Sequence, residues 1–206
     1  KKIKKQKKIF NSDYQNSILS KLNFELTNDQ KKSLNEINQD LRSNQKMFRL
    51  LQGDVGSGKT IVSVIAALNA IKAGYQVAIM APTEILAIQH YNFILENFNT
   101  FCNPEILTGK TDYKKRKNIL SDLMNNKIDI LIGTHSLFQE KITYFNLGLI
   151  VIDEQHKFGV NQRKKLSDKG GKDCDVLVMS ATPIPRTMMM SIYGDMDISK
   201  IEEKPA

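Results

Sequence analysis

Two groups of residues in this chain have the types and spacing that chemistry on phosphate requires. Gly53-Asp54-Val55-Gly56-Ser57-Gly58-Lys59-Thr60 fits the pattern G-x-x-x-x-G-K-[ST] without a mismatch. The glycines permit backbone angles that turn successive N–H groups inward around phosphate oxygens. A helix beginning at this loop adds favourable partial charge at its N-terminus. Lys59 is then placed to reach the β- and γ-phosphates of a nucleotide, and the Thr60 hydroxyl to ligate Mg²⁺. The second group follows the apolar run Leu149-Ile150-Val151-Ile152, which leads directly into Asp153-Glu154-Gln155-His156. An acidic residue at a strand end supplies the second magnesium contact of such a site. The adjacent Glu154 is placed to orient and deprotonate an attacking water. An Asp-Glu pair by itself is more often a solvated loop; its position after a phosphate loop gives it the chemical reading.

The loop needs a strand behind it and a helix ahead, and the acidic group needs a strand behind it. The apolar runs are Met47–Leu51, Gln76–Met80, Ile106–Thr108, Ile128–Ile132, Leu147–Ile152 and Val176–Met179. Helical patterns alternate with them near Lys59–Ala73, Glu84–Asn97, Lys114–Asn125 and Ile184–Tyr193, after an earlier helix from Thr27 to about Leu41 that places Leu34, Ile37 and Leu41 on one face. Continuous apolar strands are buried on both faces, which predicts an α/β domain with a mostly parallel sheet and helices on either side. The helix after the loop is apolar nearly all round and is expected to be buried, with Gly74 ending it.

Composition bounds the class. The 206 residues suffice for one well-buried domain, and 41% hydrophobic with 25% charged residues is ordinary for a globular protein. No apolar run approaches the ~20 residues that span a bilayer, and the N-terminal lysines are not followed by a secretory signal, so no membrane is expected and the cytoplasm is the default. Cys102 and Cys174 lack CxxC spacing and read as two reduced thiols. Net charge is +8, of which Lys1, Lys2, Lys4, Lys5, Lys7 and Lys8 contribute six, leaving +2 for the rest. Such a tail attracts phosphate backbones by counterion release, although a solvated linker explains it as well. Residues 1–23 read as a basic linker or connecting helix, 24–202 as the ATP-binding lobe, and 203–206 as the start of a linker to a further lobe; a fragment of a larger protein is expected.

Taken together, the motifs resemble those of a known family. Gly53–Thr60, Ala81-Pro82-Thr83-Glu84 through His90, Gly133-Thr134-His135 through Gln139, Asp153–Arg163, and Ser180-Ala181-Thr182 through Thr187 occur in the order found in superfamily 2 helicases. Asp-Glu-Gln-His followed by Phe158-Gly159-Val160, then Ala181–Thr187, is similar to the first motor lobe of the RecG family of ATP-dependent branched-DNA helicases. The resemblance covers roughly residues 24–205. It implies a RecA-like P-loop lobe acting with ATP and Mg²⁺ on branched or double-stranded DNA, in a monomer that also holds a second RecA-like lobe and a wedge domain. Transferred by position, Lys59, Asp153 and Glu154 are catalytic, with Thr60 and Asp153 at the metal. Gln155, His156, Ser180, Ala181 and Thr182 couple nucleotide state to DNA movement, and Pro82, Thr83, Glu84, Gly109, Lys110, Thr134 and His135 face nucleic acid. Lys157 stands where the family usually has arginine, keeping the charge without the bidentate fork. The transcription-repair coupling factors are similar but usually read Asp-Glu-Glu-His, so Gln155 and Ser57 favour RecG. From another class, a non-catalytic nucleic-acid binding module working through its lysines stays open.

Phe24-Glu25-Leu26-Thr27-Asn28-Asp29-Gln30 resembles the helicase Q motif, in which Gln30 reads adenine and Phe24 stacks near the base. Thr27-x-x-Gln30 is equally a capping box. The basic clusters Lys110, Lys114, Lys115, Arg116, Lys117 and Arg163, Lys164, Lys165, Lys169, Lys172 could track a phosphate backbone, although solvated helix faces are the commoner cause.

Overall fold

The structure is a computed structural model that describes residues 3–134, 137, 142–153, 171–182 and 196–205. Seven strands form one sheet: β1 (Phe48–Gly53), β2 (Gln76–Met80), β3 (Pro104–Leu107), β4 (Ile130–Gly133), β5 (Leu147–Ile152), β6 (Asp175–Ser180) and β7 (Asp197–Ile201). Their order across the sheet is β3-β4-β2-β5-β6-β1-β7, and every pairing is parallel. Successive side chains of a strand point to opposite faces, and the interior divides accordingly. Leu51, Val77, Ile79, Ile130, Ile132, Val151 and Leu177 join one apolar cluster; Leu50, Ala78, Met80, Leu131, Ile150, Ile152 and Val178 join the other.

The first cluster is covered by α1 (Ser12–Leu19), α2 (Asn28–Arg42), α3 (Lys59–Lys72) and α4 (Glu84–Phe98); α5 (Tyr113–Met124) brings Ile119 and Leu123 to the second. Helix α3 buries Ile61 through Ala70 without a break, and Gly74 follows its end at φ 89°. In α2, Leu34, Ile37 and Leu41 are buried, and Thr27 with Gln30 completes a capping box. Arg49 of β1 pairs with Asp40 (2.8 Å) and Glu36 (3.3 Å) of α2 and donates to Ser199 Oγ of β7 (2.9 Å). Both cysteines are free and buried, and burial pushes each thiol up to about 12. No described helix is long and apolar enough to cross a membrane.

Two features depart from the sequence reading. The first is the basic leader. Lys4 bridges to Gln45, Lys8 N–H donates to the Leu41 carbonyl (3.0 Å), and Phe10 and Ile18 are buried in the core. The ammonium groups of Lys5 and Lys8 are fully buried and donate to one Asp175 oxygen, at 2.5 and 2.8 Å. Residues 3–23 therefore pack on the lobe, and two of the six lysines are spent on an internal carboxylate and are not available to a polyanion. The second is β7, an edge strand absent from the sequence reading, which pairs with β1 from Arg49↔Asp197 to Gly53↔Ile201. Beyond it the chain is held at the start of α2. Asp29 Oδ2 accepts from the N–H groups of Glu202 (2.9 Å) and Glu203 (3.0 Å), while Glu203 Oε2 accepts from that of Asn28 (2.9 Å).

Candidate nucleotide site and its surroundings

Because all seven strands run the same way, their C-terminal ends share one edge of the sheet, and a ligand of an open α/β sheet binds outside that edge. The phosphate loop leaves β1 there, Asp153 leaves β5, and Ser180 ends β6 between them, opposite Gln52. Parallel register alone thus gathers residues as far apart in sequence as Gln52 and Ser180.

The loop has the geometry of an anion cradle. Gly56 (φ 82°) and Gly58 (φ 85°) occupy the left-handed region. Gly58 caps α3 without any side-chain hydrogen bond, so the first amides of α3 have no acceptor within the helix. Lys59 Nζ donates to the carbonyls of Gly53 (2.5 Å) and Asp54 (2.8 Å), folded along the loop it would leave to meet a phosphate. The Ser57 hydroxyl is buried and has no protein partner among the described residues. Asp54, Val55 and Gly56 are exposed, while Thr60 is partly buried at the helix start. These groups fit a triphosphate. They also fit its metal. Among the described residues no three His, Cys, Asp or Glu side chains gather into a cage, and Mg²⁺ held largely by phosphate and water oxygens needs only one or two carboxylates. Among the described residues, Thr60 and Asp153 are the ones that would hold it.

Gln30 serves the loop directly. It is buried, its Nε2 donates to the Ser57 carbonyl (2.8 Å) and its Oε1 accepts from Thr27 N–H (3.0 Å). Both ends of the amide are thus engaged within the protein, and the capping-box reading holds. Phe24 is half exposed.

Residues assigned to coupling and nucleic acid lie along the same edge. The Ser180 hydroxyl accepts from Thr182 N–H (3.2 Å) and lies 3.1 Å from the Thr182 hydroxyl; Gln52 Nε2 reaches the Thr182 carbonyl at 3.4 Å. Ala181 is partly buried beside them. Thr83 caps α4 by accepting from Leu86 N–H (3.3 Å), with Pro82 before it. Glu84 pairs with Lys110 (3.1 Å), across from exposed Gly109. The Lys110 ammonium, with help from the Thr108 hydroxyl, holds the Glu84 carboxyl below its usual range. Thr134 follows β4 and its carbonyl accepts from Leu137 N–H (3.1 Å). Lys114, Lys115 and Lys117 are exposed. Glu154, Gln155, His156 and His135, the second basic cluster from Arg163 to Lys169, and the helix expected over Ile184–Tyr193 lie outside the described residues, as does the side chain of Lys172. One group was missed. His90 of α4 places Nε2 2.8 Å from Asp153 Oδ2.

Comparison with known proteins now gives this edge a family. Residues 27–191 match the model for DEAD/DEAH box helicases, and the chain belongs to that family. Within it, the chain is 50% identical over 196 residues to the ATP-dependent DNA helicase RecG of Staphylococcus aureus, covering 95% of this chain and 28% of that protein. It is 51% identical over 189 residues to RecG of Thermotoga maritima, covering 91% and 24%. A solved structure of RecG bound to a three-way DNA junction matches with a TM-score of 0.85 and 45% identity, over 98% of this chain and 27% of that one. The fold is the RecA-like lobe of these enzymes, and the chain spans about a quarter of the length of the relatives it matches.

Proposed function

We propose that this chain is the ATP-binding motor lobe of a RecG-type, ATP-dependent helicase acting on branched or double-stranded DNA. The observation that supports it most is the uncapped, glycine-permitted start of α3, with Lys59 beside it, on the sheet edge that also presents Asp153. The amides of the loop and the Lys59 ammonium hold the phosphates. Thr60 and Asp153 hold Mg²⁺, which neutralises charge on the β- and γ-phosphate oxygens when bound. Glu154 orients the attacking water and takes its proton. Ser180, Ala181 and Thr182, at the end of β6 between loop and carboxylate, pass the change on with Gln155 and His156. Pro82, Thr83, Glu84, Gly109, Lys110, Thr134 and His135 face DNA. Gln30 acts through the loop it grips, with Phe24 beside the start of α2.

In superfamily 2 motors a second lobe supplies arginine fingers, worth on the order of 10³–10⁵ in rate, so the chain alone is expected to turn over ATP negligibly. The test uses the full-length polypeptide that carries this sequence, with fork, duplex and single-stranded DNA. Lys59→Ala is expected to weaken ATP binding roughly 10- to 100-fold, the value of a charge-assisted contact of about 1.5–3 kcal/mol. Glu154→Gln is expected to keep ATP binding and lower turnover by about 10²–10⁴. DNA binding that ignores nucleotide and survives Lys59→Ala would refute the motor reading. Gln30→Ala is expected to weaken ATP and GTP alike, as a loss of loop seating; a selective loss of ATP in equilibrium binding would return Gln30 to the adenine edge.

A further inference from the structure

Helix α4 buries Ala87, His90, Ile94 and Phe98 along one face. Three of the four are apolar and fill the core; the exception is at the position that reaches the end of β5. The His90 side chain is 9% exposed and that of Asp153 14%, with Nε2 and Oδ2 2.8 Å apart. A carboxylate has no hydrogen to give, so the imidazole donates from Nε2. Little water competes for this bond.

We propose that His90 is a positioning residue for the metal-binding carboxylate, and that through it α4 is tied to the metal site. The proposal rests on the reading of Asp153 as the magnesium contact. An aspartate at the end of a strand is free to rotate about its last side-chain bond. One donor on Oδ2 selects an orientation and leaves Oδ1 to the metal or its water. Such partners of metal-ligating groups typically change metal affinity by 10- to 100-fold when removed. The tie has a second end. Thr83 caps the same helix, and from Glu84 to His90 is about 9 Å of rigid helix at 1.5 Å per residue. The turn assigned to nucleic acid and the carboxylate assigned to magnesium are therefore attached to one helix, with the His90 side chain as the link to Asp153.

The experiment measures the affinity of the protein–ATP complex for Mn²⁺, obtained from the ratio of ATP affinities with and without the metal in equilibrium titrations, in the full-length polypeptide and its His90→Gln and His90→Asn variants. Glutamine places an amide donor near the position of Nε2; asparagine is polar but too short to reach it. His90→Asn is expected to weaken Mn²⁺ binding on the order of tenfold, and His90→Gln by no more than about threefold. Unchanged affinity in His90→Asn overturns the proposal. Equal weakening in both variants overturns it too, since that marks a general packing defect. Should His90→Asn fail to fold in a thermal melt, His90→Leu carries the same expectation. Wild-type protein that holds no Mn²⁺ with ATP would overturn the reading of the site itself, and this proposal with it.

Discussion

Asp175→Ala is expected to cost the folded chain about 3–5 kcal/mol, the loss typical when one partner of a buried ion pair is removed. Asp175 is fully buried at the start of β6 and accepts from Lys5 Nζ, Lys8 Nζ and Met47 N–H (2.5, 2.8 and 2.7 Å). Removing it strands two ammonium groups and an amide away from water. Lys8 keeps the Asp173 carbonyl (2.8 Å) and the face of Tyr75, and Lys5 keeps the Leu41 carbonyl (3.1 Å), but none of these carries a charge. Total stability of a domain is about 5–15 kcal/mol, so the denaturation midpoint should fall steeply. Burial already holds the Lys5 ammonium below its usual value of 10.5, against the pull of Asp175. Without Asp175 nothing opposes burial and the folded pKa of Lys5 falls further, so the added destabilisation should be complete below that lowered value and shrink as pH rises through it toward the wild-type folded value. Adding Lys5→Met and Lys8→Met to Asp175→Ala removes both stranded charges and should recover part of the loss. A triple variant no more stable than the single one would show that charge is not the cause.

Gly58→Ala is expected to disable the nucleotide loop while leaving the rest of the lobe folded. At φ 85° an L side chain costs about 1–2 kcal/mol. The added methyl would also fall inside contact distance of Gln30 Nε2, the atom that grips the Ser57 carbonyl. Gln30 must move, and the loop then loses both its shape and its tether. ATP affinity is expected to fall by at least about tenfold, equivalent to 1.4 kcal/mol, when read by fluorescent nucleotide titration. Gly56→Ala separates the causes, because it shares the positive φ (82°) but has open space where its methyl would sit. It should weaken binding less, and equal losses would assign the whole effect to backbone strain.

The sheet edge could be read from the sequence because its signals are local. The ends of β2 and β5 fall where the apolar runs stop, and the start of α3 falls where the glycines give way to an apolar helix. The leader could not be read that way. Lys5 and Lys8 differ in no local respect from Lys4 and Lys7; their partner is 170 and 167 residues away. Strand β7 was missed because its five residues mix Asp197, Ser199 and Lys200 with two isoleucines and form no continuous apolar run, and its hydrogen bonds come from β1. Helix α1 is short and mostly polar, with Ile18 its one buried residue. His90 lay inside a recognised segment, but a lone histidine in an apolar helical row reads as packing until the end of β5 is laid beside it.

The first turn of α2 holds two distant parts of the chain at once. Asn28 and Asp29 hold the residues that follow β7, and Gln30, the next along, holds Ser57. Three consecutive residues therefore fasten the polypeptide's departure from the sheet and the loop's floor to the same stiff bracket. The residues after β7 and the Ser57 carbonyl thus share one anchor, the first turn of α2.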